Sequence, residues 1–524
     1  MARSELENAN LVSRRATLRL AALGGGGFAL GGLAGCADAG SATAGMESAV
    51  SALGKPTAPL FVGGLTTSLR EELRYAPLVR GRLPHQLCGT LYKNGPGLFE
   101  RAGVRRRTLL DGDGMISAYR FAHGRVEFQN RFVRTPKFEA EEAAQRFLLD
   151  TWTTPIDEKT ASPGSDQAGV TVWPWGERLY AFDEGNPGWR LDPDDLRTLG
   201  PATFGLAAEQ AAVFAHAKQL ANSGELTLFG VNYAKLQYNY LGLDAAHRVI
   251  DQRHFAVTDY GAPSYMHDWF LTPRYFVLHV MPALIDGAAI AGGSVLRDAL
   301  RWQRELPSRL LVFRRGETAP PQVFEMPPTW MWHSANAFEL RDARLVLDWV
   351  GYDDPYHFVG AGAEWESIMQ GQLKPSGAPG VLRRTVLDLK AKTLATERFE
   401  DIADQEFPVV APGRAGKPHR YVYLVHEPGA GVLYQALAKV DMRTGRTDVF
   451  DFGAGLIALE PVFAPRPGGS AEDDGWLLVE VANELTGRAA LNVFDARRLA
   501  DGPIASVQLR HHIPMRFHGR WAGA

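Results

Sequence analysis

The feature that most restricts what this chain can fold into is its rhythm. From Leu83 to the C-terminus, short apolar and β-branched bursts recur, each long enough for one strand and each broken by turn residues. Examples are 115–121, 125–132, 179–182, 226–233, 275–280, 310–313, 345–350, 421–425, 475–481 and 490–494. The Asp-Gly, Asn-Gly and Arg-Gly pairs between bursts are hairpin chemistry. The 55 glycines and 32 prolines suit many strands joined by short turns and argue against a helical protein. Several bursts end in an aspartate followed four residues later by Gly or Leu, as in Asp441 to Gly445 and Asp495 to Leu499. Such units recur in β-propellers, where each blade is a short antiparallel sheet. The repeats are too diverged to count blades, and a stack of sandwiches is the competing fold.

The rest of the composition works by exclusion. A net charge of -3 and the lack of a long basic patch with interleaved aromatics exclude nucleic acid as the expected partner. Two cysteines, Cys36 and Cys88, build neither a disulfide framework nor a four-thiolate metal site. One departure from the strand rhythm, Pro282 to Leu300, reads as a partly helical insertion carrying the apolar cluster Leu284, Ile285, Ala288, Ala289 and Ile290. It either packs against the body or offers a patch to lipid or to an apolar substrate.

The N-terminus resembles a twin-arginine export signal ending in a lipoprotein box. Arg14-Arg15 precede a glycine-rich apolar run from Leu20 to Leu33, and Leu33-Ala34-Gly35-Cys36 follows. The expectation is a signal over residues 1–35, passage to the periplasm in folded form, and a lipid anchor on Cys36. The Ser-, Ala- and Gly-rich residues 36–56 read as a flexible tether. An uncleaved membrane anchor or a disordered start is the competing reading.

Of fourteen histidines, ten sit in turns, beside proline, on strands or near the C-terminus in settings that ask nothing of them. His216, His267, His333 and His518 differ, because apolar or aromatic residues flank each one. A buried imidazole is either neutral and hydrogen-bonded or holds a metal. Their spacings match no compact metal motif, so singly each reads as a satisfied core histidine. On a propeller axis, however, residues far apart in sequence can converge, and four imidazoles suit a divalent first-row metal. Glu184, Glu406 and Glu460 border apolar residues or proline, where an unpaired carboxylate is costly. They are candidates to stand behind the ring nitrogens, against the plainer reading of turn glutamates.

Taken together, several motifs resemble the carotenoid cleavage oxygenases, a group that includes retinoid isomerases and lignostilbene dioxygenases. They are Gly89-Thr90-Leu91-Tyr92-Lys93-Asn94-Gly95-Pro96, Asp111-Gly112-Asp113-Gly114-Met115, Asn130 to Thr135, Met266-His267-Asp268, His333 to Ala337, Glu406-Phe407-Pro408, Glu472 to Trp476 and Phe517-His518-Gly519. The likeness runs from about Pro84 to Trp521. It implies an all-β, seven-bladed β-propeller with a helical and loop cap over one face. Residues 57–524 would form one catalytic domain with cap insertions, including about 282–305. It also implies Fe(2+) held by His216, His267, His333 and His518, with Glu184, Glu406 and Glu460 bonded to three of them. Two departures stand out: Ala217 follows His216 where proline is usual, and Arg105-Arg106-Arg107 precede Asp111 where aromatic or histidine residues are common.

The implied chemistry is oxidative scission of one carbon–carbon double bond by dioxygen, giving two carbonyl products from an apolar conjugated substrate. A carotenoid or apocarotenoid is the favoured substrate and a phenolic stilbene the alternative, with Lys137 as the lysine that could grip a phenol. A polyene isomerase that uses no oxygen and a metal-binding propeller without oxygenase activity are the other readings. Peripheral membrane contact through residues 283–291 is a further expectation, and the sequence leaves the oligomeric state open.

Overall fold

The computed structural model describes residues 63–156, 166–232, 237–256, 260–360, 364–371, 377–428 and 433–524. The export signal, Cys36 and the tether expected over 1–56 lie outside these residues. Among the described residues, seven antiparallel sheets of three or more strands form the blades of a propeller. Every burst named above falls on one of their strands, apart from residue 233, which lies outside the described residues.

The second blade shows the pattern: Thr171–Trp175, Arg178–Phe182, Gly188–Leu191 and Thr198–Ala202, paired in sequence order from the axis outward. The fourth, fifth and sixth blades begin at Trp269–Leu271, Trp330–Leu340 and Gln405–Val409 and repeat it. The third has Leu226–Asn232, Gln237–Leu243 and Val249–Ala256, with Lys218 bridging to Thr227 on the inner edge. The aspartates seen at burst ends have one job. Asp192, Asp244, Asp388, Asp441 and Asp495 each accept a hydrogen bond from the backbone N–H two residues on, at 2.9–3.0 Å. An aspartate side chain here substitutes for a backbone turn, so one residue type marks where five blades reverse.

The two ends of the chain close the ring from opposite sides. Leu78–Gly81 is the outermost strand of the seventh blade, paired with Ala505–Gln508. Gly519–Gly523 is the innermost strand of the first blade, paired with Gly89–Lys93. Gly519 has to be glycine, because a Cβ there would lie 2.5 Å from the Tyr92 carbonyl oxygen. Opening the ring therefore strips a strand from two blades, and the C-terminus is held at the axis.

The insertion at 282–305 is partly helical. A hairpin of Ala283–Ile285 and Leu300–Trp302 brackets helices Gly287–Ala291 and Leu296–Ala299. Its apolar cluster is divided: Ile285 is buried, whereas Ile290 is 41% exposed. Arg107, from the arginine run, ties this insertion to helix Glu364–Met369 through Asp298 at 2.9 Å and Glu366 at 2.7 Å. His254, read from the sequence as a loop residue, lies on strand Val249–Ala256.

One pair inside the fifth blade gives the fold a testable pH dependence. Asp348 and Arg384 are cross-strand partners, joined by two hydrogen bonds of 2.8 and 2.9 Å, and the Asp348 carboxylate is fully buried. Burial alone would raise its pKa, but the Arg384 guanidinium overrides this and holds it at about 2. A pKa depressed in the folded state adds stability above the unfolded value of about 3.9. That stability is lost as pH falls through about 2. Asp348→Asn should lower unfolding free energy at pH 7 by about 3 kcal/mol, because it strands a buried guanidinium. In urea unfolding, the gap between wild type and variant should hold from pH 7 to about 5, begin to narrow near 4 and shrink further as pH falls through about 2.

Candidate metal centre

Four histidines reach the axis from four different blades, each by its own local device. His267 lies two residues before Trp269–Leu271, and His518 immediately precedes Gly519–Gly523. The His518 carbonyl accepts from Asn94 N–H at 2.8 Å, and Phe517 N–H donates to the Asn94 carbonyl at 2.9 Å. His333 lies within Trp330–Leu340 at a β-bulge. Met331 faces Gly351 and Ser334 faces Trp349, so the inner strand carries one extra residue there. The bulge re-aims His333 while its neighbour Trp332 stays buried on the other side. His216 lies on a segment that meets its blade through Phe214 N–H to the Phe229 carbonyl, 2.7 Å, and through the exchanged pair Lys218 and Thr227, 2.8 Å each way.

The rings stand edge to face. Centroids of His216 lie 4.6 Å from those of His267 and His518, and His333 and His518 are 4.7 Å apart, with interplanar angles of 72–75°. One ring nitrogen from each of the four lies within 4.8 Å of the others. His267 and His518 are buried, while His216 and His333 keep an edge open to the axis.

Carboxylates stand behind three rings. His333 Nδ1 donates to Glu406 at 2.5 Å, and His518 Nδ1 donates to Glu460 at 2.8 Å. Glu184 Oε1 lies 2.8 Å from His267 Nδ1, off the axis of an aligned hydrogen bond. Glu460 is itself held by Lys93 Nζ at 3.1 Å and by Gly519 N–H at 2.7 Å. Burial would raise the Glu460 pKa, but Lys93 and His518 bring it down to about 2. Burial raises Glu184 above the usual carboxylate range. The Glu406 carboxylate sits at a second bulge, where Phe407 adopts φ +52 and donates its N–H back to that carboxylate. The Phe407 ring stacks on His333 at 5.0 Å.

This arrangement fits a bound cation. Burial, then the other imidazoles, holds His216 well below the ordinary histidine value, and burial takes His518 to about 4. Burial would also lower His333, but Glu406 reverses the sign. With Nδ1–H committed to the carboxylates, the Nε2 lone pairs of His333 and His518 are left free. His216 and His267 bring their Nε2 atoms within 3.0 Å of each other. Neutral imidazole nitrogens converging at that range suit a divalent first-row metal between them.

The centre divides two cavities. On one side is an apolar chamber of about 80 Å³, walled by Trp152, Tyr265, Trp332, Tyr352, Trp365, Tyr434 and Phe517 together with His267, His333 and His518. On the other is a wider axial channel of about 430 Å³, lined by Lys218, Asp268, Ser334, Asn336 and Arg520. The inner strands explain the division. Trp332, His333 and Ser334, and likewise Phe517, His518 and Gly519, pass in order from chamber to metal centre to channel.

Lys137 is the correction. Its ammonium is fully buried between Asp113 at 2.6 Å and Glu141 at 2.9 Å, and it lines neither cavity. Arg101 and Arg106 flank the same carboxylates, so the lysine neutralises a buried charge cluster. Sequence reasoning missed the chamber wall and the channel residues Lys218, Asp268 and Ser334. A signal was present for some: each lies one or two positions beyond a ligand histidine.

Glu406→Gln should keep the fold and weaken binding of Co(2+), a spectroscopic probe metal, by about 10- to 100-fold. Competition with a chelator of known affinity measures it.

The sequence profile of the retinal pigment epithelial membrane protein family matches residues 66–523. The apocarotenoid-15,15'-oxygenase of Synechocystis sp. is 30% identical over 467 residues, covering 85% of this chain and 92% of that protein. Lignostilbene-alpha,beta-dioxygenase isozyme III of Sphingomonas paucimobilis is 28% identical, covering 85% and 93%. A crystal structure of the cobalt-substituted Synechocystis apocarotenoid oxygenase superposes with a TM-score of 0.79 at 30% identity, over 88% of this chain and 98% of that one. With its seven blades, its four converging imidazoles and this match across nearly all of the described residues, the chain belongs to the retinal pigment epithelial membrane protein family of carotenoid cleavage oxygenases.

Proposed function

We propose that this chain is an iron(II)-dependent dioxygenase that cleaves one carbon–carbon double bond of a carotenoid or apocarotenoid. The observation that carries the reading is that His267, His333 and His518 of the four-imidazole set line an aromatic, largely apolar chamber. His216, His267, His333 and His518 would hold the metal, and ferrous iron supplies the reactivity toward dioxygen that no amino-acid side chain has. A disubstituted alkene and one dioxygen give two aldehydes with both oxygen atoms retained, so no external reductant is needed.

The chain's own residues bind and aim. Trp332 and Trp365 stack at 5.1 Å with 15° between their planes, and Tyr265 stacks on Trp330 at 5.4 Å. These fixed flat faces suit a rigid conjugated chain and hold one bond against the histidine floor. The apolar wall excludes water from the reacting bond. Glu184, Glu406 and Glu460 each place a carboxylate oxygen within 2.8 Å of a ring nitrogen and so orient the histidines.

A phenolic stilbene is the second reading, favoured by the Tyr352 and Tyr434 side chains on the chamber wall. The burial of Lys137 removes the lysine that this reading had relied on. We further propose export by the twin-arginine route and anchoring through Cys36, carried by the 14–36 motif alone. Cys36→Ser should move the protein from the membrane to the soluble periplasmic fraction, and an unprocessed cytosolic product would defeat the idea.

Iron-loaded protein incubated with an apocarotenal and, separately, a hydroxystilbene under ¹⁸O-labelled dioxygen should yield labelled aldehydes from the apocarotenal. Cleavage of the stilbene alone would reverse the substrate assignment, and geometric isomers without label would replace the oxygenase reading with an isomerase.

A further inference from the structure

Three of the four metal-site histidines are backed by carboxylates, but among the described residues no carboxylate is paired with the His216 ring. A second device occupies the channel side of the centre. Lys218, two residues beyond His216, places Nζ 2.6 Å from Asp268 Oδ1 and donates to Ser334 Oγ at 2.8 Å. Ser334 N–H and Oγ donate to Asp268 Oδ2 at 2.8 and 2.7 Å. Asp268 directly follows His267, and Ser334 directly follows His333. The neighbouring indole closes the arrangement, with Trp269 Nε1 donating to the His216 carbonyl at 2.8 Å and Trp269 N–H donating to Asp268 Oδ1 at 2.7 Å.

We propose that Lys218, Asp268 and Ser334 form a clamp that fixes the spacing of three ligand-bearing strands, and that Lys218 is the positioning residue for His216. The inference rests on the metal-centre reading and adds to it the means by which the ligand lacking a carboxylate is held. Asp268 is 2% exposed and its carboxylate is ion-paired with Lys218 at 2.6 Å, so removing the lysine alone would leave a buried charge without a counter-charge in contact. The clamp therefore ties its three strands together or fails as a unit. Glu460, Lys93 and Gly519 serve His518 separately.

Lys218→Met alone would leave a buried unpaired carboxylate and threaten the fold, so the informative variant is Lys218→Met with Asp268→Asn, which removes both charges. The full chain is titrated with Co(2+), reading affinity by chelator competition and ligand-field absorption, with circular dichroism to verify the fold. The double variant should stay folded, bind Co(2+) about 10- to 100-fold more weakly, and show the absorption of a three-histidine site. His216→Ala should give the same spectrum, and adding His216→Ala to the double variant should cost nothing further. Ser334→Ala, which leaves the ion pair in place, should weaken binding by a smaller factor. Wild-type affinity and spectrum in the double variant would overturn the clamp. A further tenfold loss in the triple variant would overturn its action through His216. A folded wild type that binds no Co(2+) would overturn the metal centre itself, a result distinguishable from failure of the clamp alone.

Discussion

Imidazole lone pairs gathered within 4.8 Å of one another repel unless a cation lies between them, and much of the structure can be understood as what keeps them there. Two carboxylates accept from the outer ring nitrogens of His333 and His518, so the inner ones stay free of protons, and a third, Glu184, stands 2.8 Å from the outer nitrogen of His267. Those carboxylates are buried, which would ordinarily neutralise them, and each needs compensation. Glu460 receives it from Lys93 and a backbone N–H, and Glu406 from the left-handed Phe407. Strain at Phe407 and an extra residue beside His333 are local costs, and both fall where a side chain had to be re-aimed toward the axis.

The propeller suits this purpose for a geometric reason. Each blade contributes an inner strand, and along an inner strand a few residues span the thickness of the centre. One residue faces the apolar chamber, the next the metal site, and the next the polar channel, as in Trp332, His333 and Ser334. An apolar face and a polar face are thus built from adjacent positions of the same segments. Closure of the ring by Gly519–Gly523 places the last ligand within the most constrained part of the fold and ties integrity of the site to integrity of the ring.

The legibility of the sequence differs from feature to feature. The strands were readable because alternation, turn dipeptides and the recurrent aspartate are local signals, and Asp441 and Asp495 perform in space the turn they suggest in sequence. The four histidines were readable as a set only through resemblance, since their spacing follows the number of residues in intervening blades and carries no chemistry of its own. Lys137 was misread as a substrate contact because its partners are not legible beside it: Asp113 comes from elsewhere in the fold and Glu141 from the next helical turn. Lys218, Asp268 and Ser334 were passed over because polar residues beside a ligand are indistinguishable from ordinary loop residues until three blades bring them together.

What the amino-acid order decided alone is therefore the class of fold and the stock of donors: short strands, aspartate turns, and histidines set among apolar neighbours. Those properties depend on residues within a few positions of one another, where backbone preference and burial act directly. Which histidines meet, which carboxylate stands behind which ring, and which side of the centre is dry were settled only by closure of the seven blades. Each of these is a contact between residues tens to hundreds of positions apart, and no local preference encodes a distance in space across that separation.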